Sequence, residues 1–222
     1  MQANEPGLGM FNVTHLRTVN LTDQVKVSPA LTALREATRD LHSELDTLSP
    51  LLRSPLPESV YNDHAARVLG WMAPLEQALW EGPAASLWPN EIQIAKRSGK
   101  VQWIEQDLLN AGYNAAKLAE LEHCPYVPVP RTLAQSFGVA YVSEGATLGG
   151  AFLFNRLASF LPGLPLNWLK GYGVETGPLW TSFQRQLAQH VVSQESILEA
   201  QESARQAFHS FRCWVIDETP DY

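Results

Sequence analysis

Arg35, Thr38, His42 and Asp46 recur every three or four positions, so on a helix they form one polar stripe. Leu31, Leu34, Leu41, Leu45 and Leu48 form an apolar stripe beside it. The polar seam therefore runs along the edge of a buried core. A histidine on such a border serves either as a structural hydrogen-bonding residue or as a ligand, since its neutral imidazole can hold a metal centre from one side. Arg35, two turns before His42 on the same face, is placed to meet an anionic group at a pocket edge.

A second unusual stretch is 137–156, FGVAYVSEGATLGGAFLFNR, an apolar helical pattern interrupted by Gly138, Gly145, Gly149 and Gly150. Each glycine inside a helix costs about 1 kcal/mol relative to alanine. Three within positions 145–150 therefore need something that offsets the loss. Tight packing of helices through small residues is one reading. The other is a flat body brought within van der Waals reach of the backbone, with a kink permitted at the same place. Together with His42 and Arg35, that second reading points to haem, its iron on the imidazole and a propionate on the arginine.

These residues need helices to carry them. Ser28-Pro29 has the form of an N-cap followed by proline in the first turn, so a first helix is expected over 29–48. After Pro50, Pro55 and Pro57, a second helix is marked by Val60, Ala65, Val68, Leu69, Met72, Leu75 and Leu79, with Pro74 a possible kink site. Short helices are expected over 90–97, 100–110 and 114–123, with Gly112 as a stop. The run CPYVPVPR must be extended. It delivers the chain to the glycine-bearing helix, expected over 131–161, followed by a short helix near 166–170 and two more over 178–192 and 194–215. Sustained period-two alternation is absent, so the expected fold class is all-α.

Composition agrees with one compact domain. The 222 residues are 45% hydrophobic, and the expected organisation is a partly ordered arm over 1–27, a helical domain over 28–216 and a tail over 217–222. A net charge of −7, with 16 Lys and Arg scattered along the chain, argues against nucleic acid or an anionic membrane as partner. Cys124 and Cys213 have no metal-ligand spacing and read as free thiols in a reducing compartment. No apolar run is expected to reach the length of a membrane span, and MQANEPGLGMFNV lacks the pattern of a signal peptide, so a soluble, cytoplasmic protein is expected.

LREATRDLHSELD, residues 34–46, resembles the proximal-helix motif of haem oxygenases, and GVAYVSEGATLGGAFL, residues 138–153, resembles the distal helix of their bacterial branch. The resemblance spans most of 30–215 and includes the GYGVETGPLW turn. It implies a single-domain multi-helix bundle with haem b, both cofactor and substrate, between a proximal and a kinked distal helix. By resemblance, His42 matches the proximal iron ligand, Arg35 a propionate partner in whose stripe Thr38 also lies, and Tyr141 the distal-helix tyrosine at a propionate. Gly145 and Gly149 match the glycines whose backbone approaches the haem, and Gly150 permits the same approach. Asp46 stands where the family often has a carboxylate, which could orient the histidine through its second ring nitrogen.

The activity implied is oxidative degradation of haem with O2 and electrons from an external reductase or ferredoxin, giving biliverdin, CO and ferrous iron. Some similar bacterial proteins supply biliverdin to bacteriophytochromes, which makes a bacteriophytochrome a candidate acceptor. Iron acquisition is an equally available purpose. Ala146 stands where animal members carry an aspartate and bacterial ones often a serine, so the proton route is unassigned, and Glu144, two positions before it, reads equally as a structural carboxylate turned away from the haem. A haem carrier or sensor that leaves its ligand intact would use the same His42 and Arg35. A helical protein with a non-haem metal is disfavoured, because no Glu-x-x-His spacing recurs on two helices.

Overall fold

A computed structural model describes residues 28–216; the expected arm over 1–27 and tail over 217–222 lie outside the described residues. Helix α1 (Pro29–Leu48) starts and ends where its sequence signals fall. The Ser28 hydroxyl accepts from the Leu31 N–H at 3.2 Å, satisfying one of the unpaired donors of the first turn. Helix α2 (Glu58–Trp80) continues through Pro74 and buries Ala65, Val68, Leu69, Trp71, Met72, Leu75 and Leu79.

Three short helices follow: α3 (Ile94–Arg97), α4 (Lys100–Asn110) and α5 (Ala115–Ala119). Gly112 ends α4 at φ +89°, a left-handed conformation that a side chain would resist. The proline-rich segment then leads to α6 (Leu133–Leu157), capped by Thr132, whose side chain accepts from the Gln135 N–H at 3.2 Å. It is shorter than the expected 131–161, because the Thr132 cap fixes its start and beyond Leu157 the chain tightens into a turn before Pro162. Helices α7 (Asn167–Lys170), α8 (Thr176–His190) and α9 (Gln194–Phe211) complete the series, and α9 runs on into a π turn at Arg212–Ile216. The described residues contain no strand, and the fold is all-α.

The main core brings together α1, α2, α4, α6, α8 and α9 around Leu34, Trp71, Leu75, Leu79, Phe137, Phe183 and Leu187. Helices α1 and α6 both pack principally on α9 rather than on each other. Ala200, Ala204 and Ala207 keep the buried face of α9 low, and a Cβ at Gly138 would collide with the Ala200 carbonyl. Backbone meets backbone there, so this first glycine of α6 serves helix packing.

One expectation from the sequence is corrected here. Helix α6 is long and apolar enough to cross a membrane by length and composition, with a mean hydropathy of 1.2 over its best window. Half of that window is buried inside the protein. Its low charge, with Glu144 and Arg156 alone, suits a central helix covered by α7, α8 and α9.

Candidate functional site

On α1 the polar stripe forms as its spacing requires. His42 Nδ1 lies 3.0 Å from Asp46 Oδ2, one turn on, while the imidazole is half exposed. The hydrogen bond to Asp46 raises the His42 pKa above its ordinary value, with burial acting against it. With Nδ1–H donated to the carboxylate, the neutral ring keeps its lone pair on Nε2, the form that a metal binds. Phe208 of α9 stands beside the ring at 6.1 Å between centroids.

One turn earlier, Thr38 is buried and donates its hydroxyl to the Leu34 carbonyl at 2.8 Å. Tyr141 of α6 comes to this place. Burial raises its phenol pKa, opposed by a hydrogen bond with Thr38 and by the positive charge of Arg35. Thr38 and Tyr141 therefore meet where α1 and α6 approach, within range of the Arg35 charge, with Trp180 of α8 6.0 Å from the Tyr141 ring. One turn on from that meeting point, α1 carries His42 and α6 carries Gly145.

The glycines of α6 divide by face. A Cβ built at Gly145 or at Gly149 would meet nothing within 4 Å, so no part of the described chain fills the space in front of them. They lie four residues apart and share that open face. Gly150 differs from what the sequence suggested: a Cβ there would stand 3.4 Å from the Leu169 carbonyl oxygen, in ordinary contact with α7. At 100° per residue, the position after Gly149 is turned to another side of the helix. Ala146 is exposed and brings no proton-carrying group.

Behind α6 lies a charged cluster that sequence reading missed. Glu144, buried, accepts from Lys100 Nζ at 2.9 Å, from the Tyr172 hydroxyl at 2.9 Å and from Arg97 Nη1. Arg97 is fully buried and also donates to the carbonyls of Ile92 at 2.7 Å and Leu179 at 3.0 Å. Glu76 accepts from the Lys100 backbone N–H at 3.1 Å. Against the effect of burial, the charges of Glu144, Tyr172 and Glu76 raise the Lys100 pKa, and burial pushes the Tyr172 phenol up to about 12. In the sequence, Arg97 and Lys100 sit in AKRSGK, a run that reads as solvated, and their acidic partner is more than forty residues away.

A flat tetrapyrrole fits the residues present. The open backbone of Gly145 and Gly149 is a cradle that any side chain would fill, His42 offers one imidazole nitrogen, and Arg35 and Tyr141 offer polar groups for a carboxylate. Among the described residues no group of three or more His, Cys, Asp and Glu is gathered to hold a bare metal ion. His64, buried and unpartnered at Nδ1, is pushed down to about 4 by burial and stays neutral in the core. Cys124 and Cys213 are not joined in a disulfide. A family model described as heme oxygenase matches residues 28–217. No curated protein matches the chain.

Proposed function

The chain belongs to the haem oxygenase family, and from that premise we propose that it binds haem b between α1 and α6 and degrades it with O2 and reducing equivalents to biliverdin, CO and ferrous iron. One observation carries the reading: Gly145 and Gly149 present bare backbone to open space one turn beyond the place where Tyr141 meets the helix of His42.

Each residue has a task in this reading. His42 holds the iron through Nε2, and Asp46 keeps the proton on Nδ1 so that the ring cannot turn its other nitrogen to the metal. Arg35 and Tyr141, with Thr38 beneath them, take a propionate and so set the rotation of the macrocycle about its axis. Gly145 and Gly149 would let the helix backbone come within van der Waals reach of the macrocycle, since no side chain or neighbour stands before them. The bound haem supplies the oxygen binding and the electron chemistry. Ala146 offers no proton, and Glu144 is engaged on the far side of α6 by Arg97, Lys100 and Tyr172. Neither side chain brings a proton to the glycine face, which leaves that task to water.

The likeness of residues 138–153 to the bacterial distal helix supports extending the reading to an external ferredoxin or reductase as electron donor and a bacteriophytochrome as one acceptor of the biliverdin. Two cysteines not joined in a disulfide support a reducing compartment.

The test is to add one equivalent of hemin to the purified protein, supply an electron donor in air, and follow the haem absorbance with chromatography of the products. Loss of the haem band with release of biliverdin is the expected result. A stable complex under oxygen and reductant would make the protein a carrier or sensor, and failure to bind hemin would overturn the site.

A further inference from the structure

The face of α6 that carries Gly145 and Gly149 is supported from behind by structure that no step above uses. Glu144, Thr147 and Gly150 follow one another at intervals of three along α6, and all three meet the segment 169–172. Gly150 touches the Leu169 backbone, Gly171 at φ +54° lies against the Thr147 side chain, and Tyr172 donates its hydroxyl to Glu144 at 2.9 Å.

The segment is itself tied down at its other end. Asp107 of α4, buried, accepts from the backbone N–H groups of Asn167 at 2.8 Å and Trp168 at 3.2 Å and from the Tyr61 hydroxyl at 3.0 Å. The result is a strap, 167–172, anchored to α4 through Asp107 and to α6 through Glu144. Arg97 and Lys100 grip the same Glu144 carboxylate from α3 and α4.

Ion pairs buried this deeply are poor sources of net stability, because the desolvation of each charge consumes most of the attraction. Their directional hydrogen bonds do hold a backbone in one place. Helix α6 needs that, since glycines at 145, 149 and 150 weaken it where a substrate must be held at a defined height.

We propose that Glu144 and Tyr172 are positioning residues of the haem site: by holding α6 to the strap, they set the height and tilt of the Gly145–Gly149 backbone over the substrate. This rests on the haem reading above. They touch neither haem nor oxygen, and they act through the two glycines. Height and tilt of that backbone decide toward which ring edge the oxygen is steered, so the pair governs regiochemistry more than affinity.

The experiment compares the parent chain with Tyr172→Phe and Glu144→Gln. Tyr172→Phe keeps the ring against Trp103, 5.2 Å away, and removes one hydroxyl. In the protein without hemin, amide hydrogen exchange over 145–150 is expected to quicken about tenfold, while amides near Gly138, packed on Ala200, keep the parent rate. With hemin, affinity is expected to stay within about twofold of the parent while the ratio of biliverdin isomers shifts. Parent-like exchange over 145–150 in Tyr172→Phe, or an equal acceleration throughout α6 and α9, overturns the proposal. Should Glu144→Gln fail to fold, Tyr172→Phe decides alone. Because exchange is read without hemin, a parent chain that bound no haem would overturn the proposed function, while the exchange rates would still decide whether Glu144 and Tyr172 hold α6 in place.

Discussion

Asp46 holds His42 at Nδ1 across 3.0 Å, one turn further along the same helix. The pairing raises the His42 pKa, and a protonated ring has no lone pair for iron. Iron and proton compete for that lone pair, so ligation is expected to weaken as pH falls, with its loss at or below that raised pKa. In Asp46→Asn the loss should move to lower pH, read from the Soret band of the ferric complex titrated from pH 9 to 5. An unchanged midpoint would detach Asp46 from the ligand.

His42→Ala should lose the axial ligand and most turnover, with the spectrum restored by added imidazole, which can enter the space left by the side chain. A parent-like spectrum in the variant without imidazole would remove His42 from the role.

Opposite effects are expected from two glycines of the same helix. Gly149→Ala should stabilise the hemin-free protein by about 0.5–1 kcal/mol, because a Cβ there meets nothing and helix propensity improves. The same change should weaken hemin binding, and Gly149→Leu should weaken it further. Gly138→Ala should destabilise by roughly 1–3 kcal/mol through its collision with the Ala200 carbonyl. Denaturant midpoints and hemin titrations of the three variants check this contrast.

Arg35→Ala should raise the dissociation constant for hemin about 3- to 10-fold at low salt and less at high salt, because the guanidinium is exposed and its attraction to a carboxylate is screened. Tyr141→Phe should weaken binding without that salt dependence. Titration of each variant at two ionic strengths separates them.

His64 gives the fold its own acid sensitivity. Its folded pKa lies at about 4 against an ordinary 6.5, so between those values the unfolded chain takes up a proton that the folded one refuses. Stability on this account is whole above pH 6.5 and falls as pH drops toward 4, by about 3 kcal/mol. His64→Leu should flatten urea stability over that window, and an unchanged slope would place the sensitivity in other groups.

The parts of this protein written locally were readable in its sequence. Ser28 and Pro29 announce α1, the leucine stripe orients it, and the helical periods locate α2, α4, α8 and α9 to within a few residues. The open backbone at Gly145 and Gly149 was foreseeable from the cost of glycine in a helix. The separate tasks of Gly138 and Gly150 were not, because each is defined by a backbone that arrives from elsewhere, at Ala200 and at Leu169. The burial of Arg97 and Lys100 was equally hidden, since long-range charge pairing leaves no periodicity to detect. The length of the apolar run in α6 was underestimated: no run was expected to reach that of a membrane span, yet α6 does, and what surrounds it is α7, α8 and α9.

The contact of Gly138 with Ala200 also sets how firmly one wall of the site is seated. Helix α6 is seated on α9 backbone to backbone, with no side chain between to bend or reorient, and further along it is fastened again at Glu144 and Gly150. The far end of α1 is held by side chains, among them the Arg212–Glu44 ion pair at 2.9 Å, and Ser43, Glu44, Thr47 and Leu48 face outward. The site therefore has two unlike walls: α6 is seated by backbone and by a buried ion cluster, and the outer half of α1, which carries His42, is tied down through exposed side chains.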